Sequence, residues 1–181
     1  MAAFIFLPNG AYPFLYLNET AFLKTCRFEA YMASGPGGQK RNRTYSAVRL
    51  THLPTGLAAI AEDSRSQNEN KHKALKRLRM AIALHVRKNT PVGSFCMPEQ
   101  LREYIKPDAP LQINMKNPLY PLLCATTLDA LYCAAGKVGA AAALISISTG
   151  RFNKFLSKDT DLFSAANELR SLFHLKPLKI V

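Results

Sequence analysis

The sequence predicts an α+β fold: a small antiparallel sheet packed by one long helix, followed by a helical, helix-turn-helix-like module. Three observations predict it. Residues 26–61 alternate apolar and polar in short runs separated by turn signals. Residues 66–86 carry apolar side chains at helical spacing behind a capping signature. Residues 122–177 are apolar and helix-rich, and follow a segment, 89–121, that contains six prolines. The expected division is therefore 1–88 (core about 17–88), a Pro-rich linker at 89–121, and a helical module at 122–181.

In chain order, Cys26 to Met32 alternates and reads as a strand. The Gly-rich, basic stretch Gly35 to Arg43 reads as a loop. Ala47 to Leu53 alternates again, with Val48, Leu50 and His52 against Arg49 and Thr51. Pro54-Thr55-Gly56 is a turn into a small-residue strand, Leu57 to Ala61, which makes a hairpin. Ser66-Gln67-Asn68-Glu69 forms a capping box, and Ala74, Leu75, Leu78, Ile82 and Val86 continue as one helix face. In the linker, Pro91, Pro98, Pro107, Pro110, Pro118 and Pro121 leave room for a helical turn or short helix near Glu99 to Ile105. Four helices follow: Thr127 to Ala135 ended by Gly136, Val138 to Ile145, Ser148 to Leu156 behind a Ser-Thr cap, and Leu162 to Leu172.

Lys and Arg number 24 against 12 Asp and Glu, a net charge of +12. A surface this basic suits a polyanion, nucleic acid before an anionic membrane. Residues 1–90 carry 14 − 5 = +9 and residues 91–181 carry 10 − 7 = +3, so the first half should face the polyanion. Cys26, Cys96, Cys124 and Cys133 have no CxxC spacing and read as buried free thiols of a reducing cytoplasm; no metal is expected. Met1 to Leu17 is uncharged, but Pro8-Asn9-Gly10 and Pro13 interrupt it, and neither a signal nor a transit peptide fits. Its apolar residues are expected to pack on the domain. No later segment is long and apolar enough to span a bilayer, so no membrane partner is expected. His52 alternates with the hairpin and reads as structural. Asp63 and Glu62 end a strand beside Arg65 and read as a surface ion pair.

The stretch that carries chemistry is Ser34-Gly35-Pro36-Gly37-Gly38-Gln39. Its glycines permit positive φ and close backbone approach to a ligand. No Gly-Lys-Ser/Thr follows, so it is not a P-loop. With Asn42, Thr44, Ser46-Ala47-Val48-Arg49-Leu50-Thr51-His52, Pro54-Thr55-Gly56, Arg65-Ser66-Gln67 and Asn70-Lys71, residues 25–85 resemble the catalytic domain of class I peptide chain release factors and their codon-independent rescue relatives. The elements occur in the family's order and close to its spacing. Where the family usually has His-Val after the glutamine, this chain has Lys40-Arg41, and a family lysine is Arg43, so the loop is more basic.

The resemblance implies hydrolysis of the peptidyl-tRNA ester in the ribosomal P site. Gln39 would donate its backbone N–H to the oxyanion and position water with its side chain. Gly37 and Gly38 would supply the backbone geometry. No cofactor is required. The family's glutamine is a methylation target, which implies Gln39 as a modification site and a glutamine methyltransferase as a partner. The expected RNA contacts are Lys40, Arg41, Asn42 and Arg43 on the loop; Arg65; Lys71, Lys73, Lys76, Arg77 and Arg79 on the long helix; and Arg151 and Lys154 in the helical module.

Release factors of the family read stop codons with a separate domain and a tripeptide loop. This chain is expected to lack that domain and has no Pro-x-Thr or Ser-Pro-Phe tripeptide. A codon-independent factor acting on the ribosome, in a bacterial-type cytoplasm and as a monomer, is the expectation. In the helical module Ala142, Ser146-Ile147-Ser148, Phe152 and Phe155 follow helix-turn-helix core spacing, with Ser146 where a glycine is usual. Arg151, Asn153, Lys154 and Lys158 fall on the outer face of its third helix. Ribosome docking through RNA, DNA binding, and a purely structural cap stay open for this module. For the whole chain, a non-catalytic RNA-binding adaptor and a nucleic-acid-binding regulator stand as alternatives to the hydrolase.

Overall fold

The computed structural model describes residues 4–32, 45–89, 94–105 and 113–179. Gly37, Gly38, Gln39, Lys40, Arg41, Asn42 and Arg43 lie outside the described residues. The chain divides into two compact units, Pro13–Ile82 and the pair Met1–Tyr12 with Ala83–Val181. This division follows compactness, whereas the expected one at residue 88 follows the periodicity of the sequence and its prolines.

In the unit Pro13–Ile82, strands β2 (Cys26–Tyr31), β3 (Ala47–His52) and β4 (Ala58–Ala61) form one antiparallel sheet in the order β2-β3-β4. The α+β expectation holds. The period-2 pattern of β3 buries Val48, Leu50 and His52 as expected. Helix α3 (Gln67–His85) turns Ala74, Leu75, Leu78 and Ile82 inward. With Val48, Leu50, Ala61 and Phe22 of the short helix α2 (Glu19–Lys24), they make the core. Asn18 caps α2, its side chain accepting from the Ala21 N–H at 2.8 Å.

The α3 start is half a capping box. Ser66 Oγ accepts from the Glu69 N–H at 3.3 Å, but the Glu69 carboxylate turns away to accept from the Ser64 hydroxyl at 2.5 Å. Val86 does not continue the helix. It opens β5 (Val86–Lys88), which pairs in parallel with β1 (Ile5–Leu7) in the register Ile5↔Val86. Pairing with a distant strand overrides helical spacing here.

This pair belongs to the other unit, together with four helices: α4 (Tyr120–Cys133), α5 (Val138–Leu144), α6 (Thr149–Leu156) and α7 (Thr160–Ser171). A four-residue helix, α1 (Tyr12–Leu15), follows β1. Helix α4 starts seven residues before the expected Thr127 and takes Pro121 into its first turn. There the missing N–H is no loss, because first-turn N–H groups have no helical acceptor. Leu122, Leu123, Leu128 and Leu131 are buried, and the helix is covered on nearly all sides.

The Ala135-Gly136 stop is left-handed at both residues (φ 50 and 75). A Cβ on Gly136 would also sit 2.9 Å from Leu175 Cδ1, the movable end of a side chain, so it is the conformation that requires glycine. Within the expected linker, Glu99–Leu101 forms a 3-10 turn that buries Leu101. Of the four thiols, Cys124 and Cys133 are buried, but Cys26 is half-buried and Cys96 exposed, so the all-buried expectation is corrected.

A buried ion pair sits at the centre of this unit. Arg87, on β5, is fully buried and donates from Nη1 to Asp129 Oδ1 at 2.8 Å and to the Ala125 carbonyl at 2.9 Å, and from Nη2 to the Ala83 carbonyl. The Tyr12 hydroxyl also bonds to Asp129. Burial pushes the Asp129 carboxyl up and Arg87 opposes it.

Candidate functional site: the loop anchor and its cationic helix

The strands on either side of the segment that contains Gly37-Gly38-Gln39 are paired to their ends, Tyr31 opposite Ala47. The returning chain, Tyr45-Ser46, is fixed by two amides from the first turn of α3. Gln67 Nε2 donates to the Tyr45 carbonyl at 2.8 Å. Asn70 Nδ2 donates to the Ser46 carbonyl at 2.7 Å and to the Ser64 carbonyl at 2.8 Å, while its Oδ1 accepts from the Ser64 N–H at 2.9 Å. Asn70 is fully buried and uses both amide protons and its oxygen. A neutral amide can bridge two carbonyls and an N–H in this way, whereas a carboxylate would face the two carbonyls without a proton. The sequence pattern Arg65-Ser66-Gln67 with Asn70 thus acquires a physical meaning: the start of α3 holds the exit of the loop.

His52 is the structural histidine expected. It is fully buried, stacked on Phe22 (centroids 5.4 Å apart, planes 6° apart) and met edge-on by Phe14 at 4.4 Å. Its Nδ1 lies 2.8 Å from Thr55 Oγ1. Burial pushes its pKa down to about 4, so it stays neutral and braces the turn after β3.

The cations expected on α3 divide into two groups. Lys73 and Lys76 are exposed and Lys71 half-buried, so their charge is available to an external anion. Arg77 is tied to the sheet: it pairs with Asp63 at 2.9 Å and donates to the Ile60 carbonyl at 2.7 Å. Asp63 therefore finds its partner in Arg77, not in the expected Arg65, which stays exposed. Arg79 is half-buried, with its guanidinium 4.8 Å above the Phe22 ring and donating to the Leu17 carbonyl. These two arginines hold local structure. In the helical unit, Lys154 is exposed near the end of α6 and Arg151 is half-buried in its first turn. Among the described residues, no three His, Cys, Asp or Glu side chains gather as a metal site requires, and no helix is long and apolar enough to cross a membrane.

Comparison with known proteins converges on the same segment. Residues 22–94 match the RF-1 domain family. Peptide chain release factor 1 of Magnetococcus marinus is 57% identical over 59 residues, which cover 33% of this chain and 16% of that protein. The corresponding protein of Anaplasma marginale (strain Florida) is 54% identical over 59 residues, with the same two coverages. That of Ehrlichia canis is 38% identical over 96 residues, 48% of this chain and 27% of the relative. The chain thus spans about a sixth to a quarter of the length of these curated relatives. The match takes in the loop, the hairpin and α3 together with their anchors: residues 22–94 carry the RF-1 domain of the class I peptide chain release factor family.

Proposed function

We propose that this protein hydrolyses the ester bond of peptidyl-tRNA on the ribosome without reading a codon, as a release or rescue factor. The observation that carries the reading is the anchored loop exit: within a release-factor domain, Gln67 and Asn70 fasten the strand that leaves Gly37-Gly38-Gln39. On this reading, residues 17–88 are the catalytic core, 89–121 the linker and 122–181 a helical accessory module. The domain acts in a bacterial-type cytoplasm as a monomer, with ribosomal RNA and P-site peptidyl-tRNA as partners.

Water attacking the ester carbonyl forms a tetrahedral intermediate with a negatively charged oxygen. The backbone N–H of Gln39 donates to that oxygen, a contribution of about 10²–10³ in rate for one such donor. The Gln39 side chain orients the water and excludes larger nucleophiles, and Gly37 and Gly38 let the backbone enter a crowded RNA cavity. Protons pass through the terminal 2′-hydroxyl of the tRNA, so no charged protein base is needed. Methylation of the Gln39 amide by a glutamine methyltransferase would tune this positioning. Lys40, Arg41, Asn42 and Arg43 of the loop, Arg65, and Lys71, Lys73 and Lys76 of α3 hold RNA phosphates and set no sequence preference.

The test is release of labelled formyl-methionine from initiator tRNA on purified ribosomes with a stop codon, a sense codon or a truncated message in the A site. Release on all three, lost in Gly38→Ala and reduced in Gln39→Ala, is the expected result. Release on stop codons alone would assign decoding to this chain or a partner. Ribosome binding without release would make the protein an adaptor.

A further inference from the structure

The helical unit contains a stretch of sequence, between Asp129 and Asp159, whose charged side chains are all cations. Residues 130–158 contain Lys137, Arg151, Lys154 and Lys158 and no Asp or Glu. Lys137, Lys154 and Lys158 are exposed. Helices α5 and α6 are joined by a tight turn, residues 145–148, in which Ser146 takes the left-handed conformation (φ 58) that a glycine would adopt freely. Ser148 caps α6, its hydroxyl accepting from the Arg151 N–H at 3.4 Å. The two helices meet at their N-termini, where a Cβ on Gly139 would lie 3.8 Å from Thr149 Oγ1. Around this junction the exposed residues are small: Gly139, Ala140, Ala143, Thr149 and Gly150.

We infer that the exposed side of α5 and α6 docks on the sugar-phosphate backbone of a double-helical RNA. The charge is of one sign and complements a polyanion. The exposed cations are lysines, point charges that bind phosphate without reading bases. Arg151 and Asn153, the side chains of α6 able to grip a base edge with two parallel hydrogen bonds in a fixed geometry, are half-buried. A surface of glycine, alanine and threonine is flat, which suits the wide, shallow minor groove of A-form RNA and its 2′-hydroxyls. The deep major groove of B-form DNA calls for a projecting helix. The choice of RNA rests on the ribosomal reading above. The phosphate chemistry does not.

The experiment measures binding of the full-length protein to a blunt RNA duplex of about 20 base pairs, and to the DNA duplex of the same sequence, across a salt series. Lys137→Gln/Lys154→Gln/Lys158→Gln should lower the slope of log affinity against log salt by about 2–3, from the usual ~0.7–0.9 per phosphate contact. Gly150→Glu puts one carboxylate on the face where a Cβ meets nothing within 4 Å, and should weaken RNA binding at least tenfold. Gly150→Ala, with the same backbone change and no charge, should stay within twofold of the parent. Unchanged affinity and slope in both charge variants would overturn the docking surface. Preferential binding to the DNA duplex, lost in the same variants, would overturn the RNA assignment. Because no ribosome or tRNA ester is present, these outcomes stand apart from the release assay: a Gln39→Ala protein should bind the duplex as the parent does.

Discussion

The two units bury polar groups of opposite kind. Among the described residues of Pro13–Ile82 the buried polar side chains are Ser46, His52 and Asn70, all uncharged under neutral conditions, and two of them sit where the chain returns from Gly37-Gly38-Gln39. In the other unit they include a charged pair, Arg87 with Asp129. A neutral amide fixes a chain end with modest desolvation. An ion pair in the interior is strong only while both partners are present. The first arrangement needs no buried charge; the second takes one cation, Arg87, into the interior.

The largest effect on stability is expected at the ion pair. Arg87→Met should destabilise the full-length protein by about 3–5 kcal/mol in a urea titration, because Asp129 is left buried without its counter-ion. Arg87→Met/Asp129→Leu should recover most of that loss. A double variant as unstable as the single would mean that the lost bonds to the Ala125 and Ala83 carbonyls matter more than the charge.

At the loop exit the effect should be smaller. Asn70→Ala orphans two carbonyls and an N–H, and should cost about 1–3 kcal/mol. Asn70→Asp should be no better, since it offers oxygen to oxygen. Stability equal to the parent in either variant would show that the loop exit is held by the sheet alone.

His52 gives a pH dependence of known sign. Its folded pKa, about 4, lies below its ordinary value of 6.5, so between these values the unfolded chain binds a proton that the folded chain refuses. Stability should therefore rise with pH through this window and level off above it, and His52→Gln should flatten that rise. An unchanged slope would assign it to other groups. The smallest effect on folding is expected at the exposed lysines. Lys73→Ala/Lys76→Ala should stay within about 0.5 kcal/mol of the parent while lowering the salt slope of RNA binding by about 1–2.

What could be read from the sequence was local. The hairpin followed from alternation around Pro54-Thr55-Gly56, the start of α3 from Ser66, the α4 stop from Gly136, and the inert character of His52 from its phase in β3. What could not be read was set by distant partners. Val86-Arg87-Lys88 continues a helical pattern by composition and becomes a strand only because Ile5–Leu7 lies beside it. Arg87 counts as one more surface cation until Asp129, 42 residues further on, is placed against it. The roles of Arg77 and Arg79 depend on the carbonyls of Ile60 and Leu17, which no side-chain pattern announces. For the candidate site, the family motif picked out Gly37-Gly38-Gln39, which lies outside the described residues, and the reason Gln67 and Asn70 accompany it emerged only with the backbone they hold.

The parallel pairing of β1 with β5 sets an order of events during synthesis. Ile5 must wait for Val86, roughly 80 residues later, which at ribosomal elongation rates is about 4–16 s. Arg87 then stays without its counter-ion until α4 has been made. The unit Pro13–Ile82 has its whole sequence in hand before that, so it can fold as a nascent chain while the first strand is still unpaired. Strand β1 is thus made well before the strand it pairs with and is among the last segments to settle, an apolar stretch held in reserve until the helical half arrives.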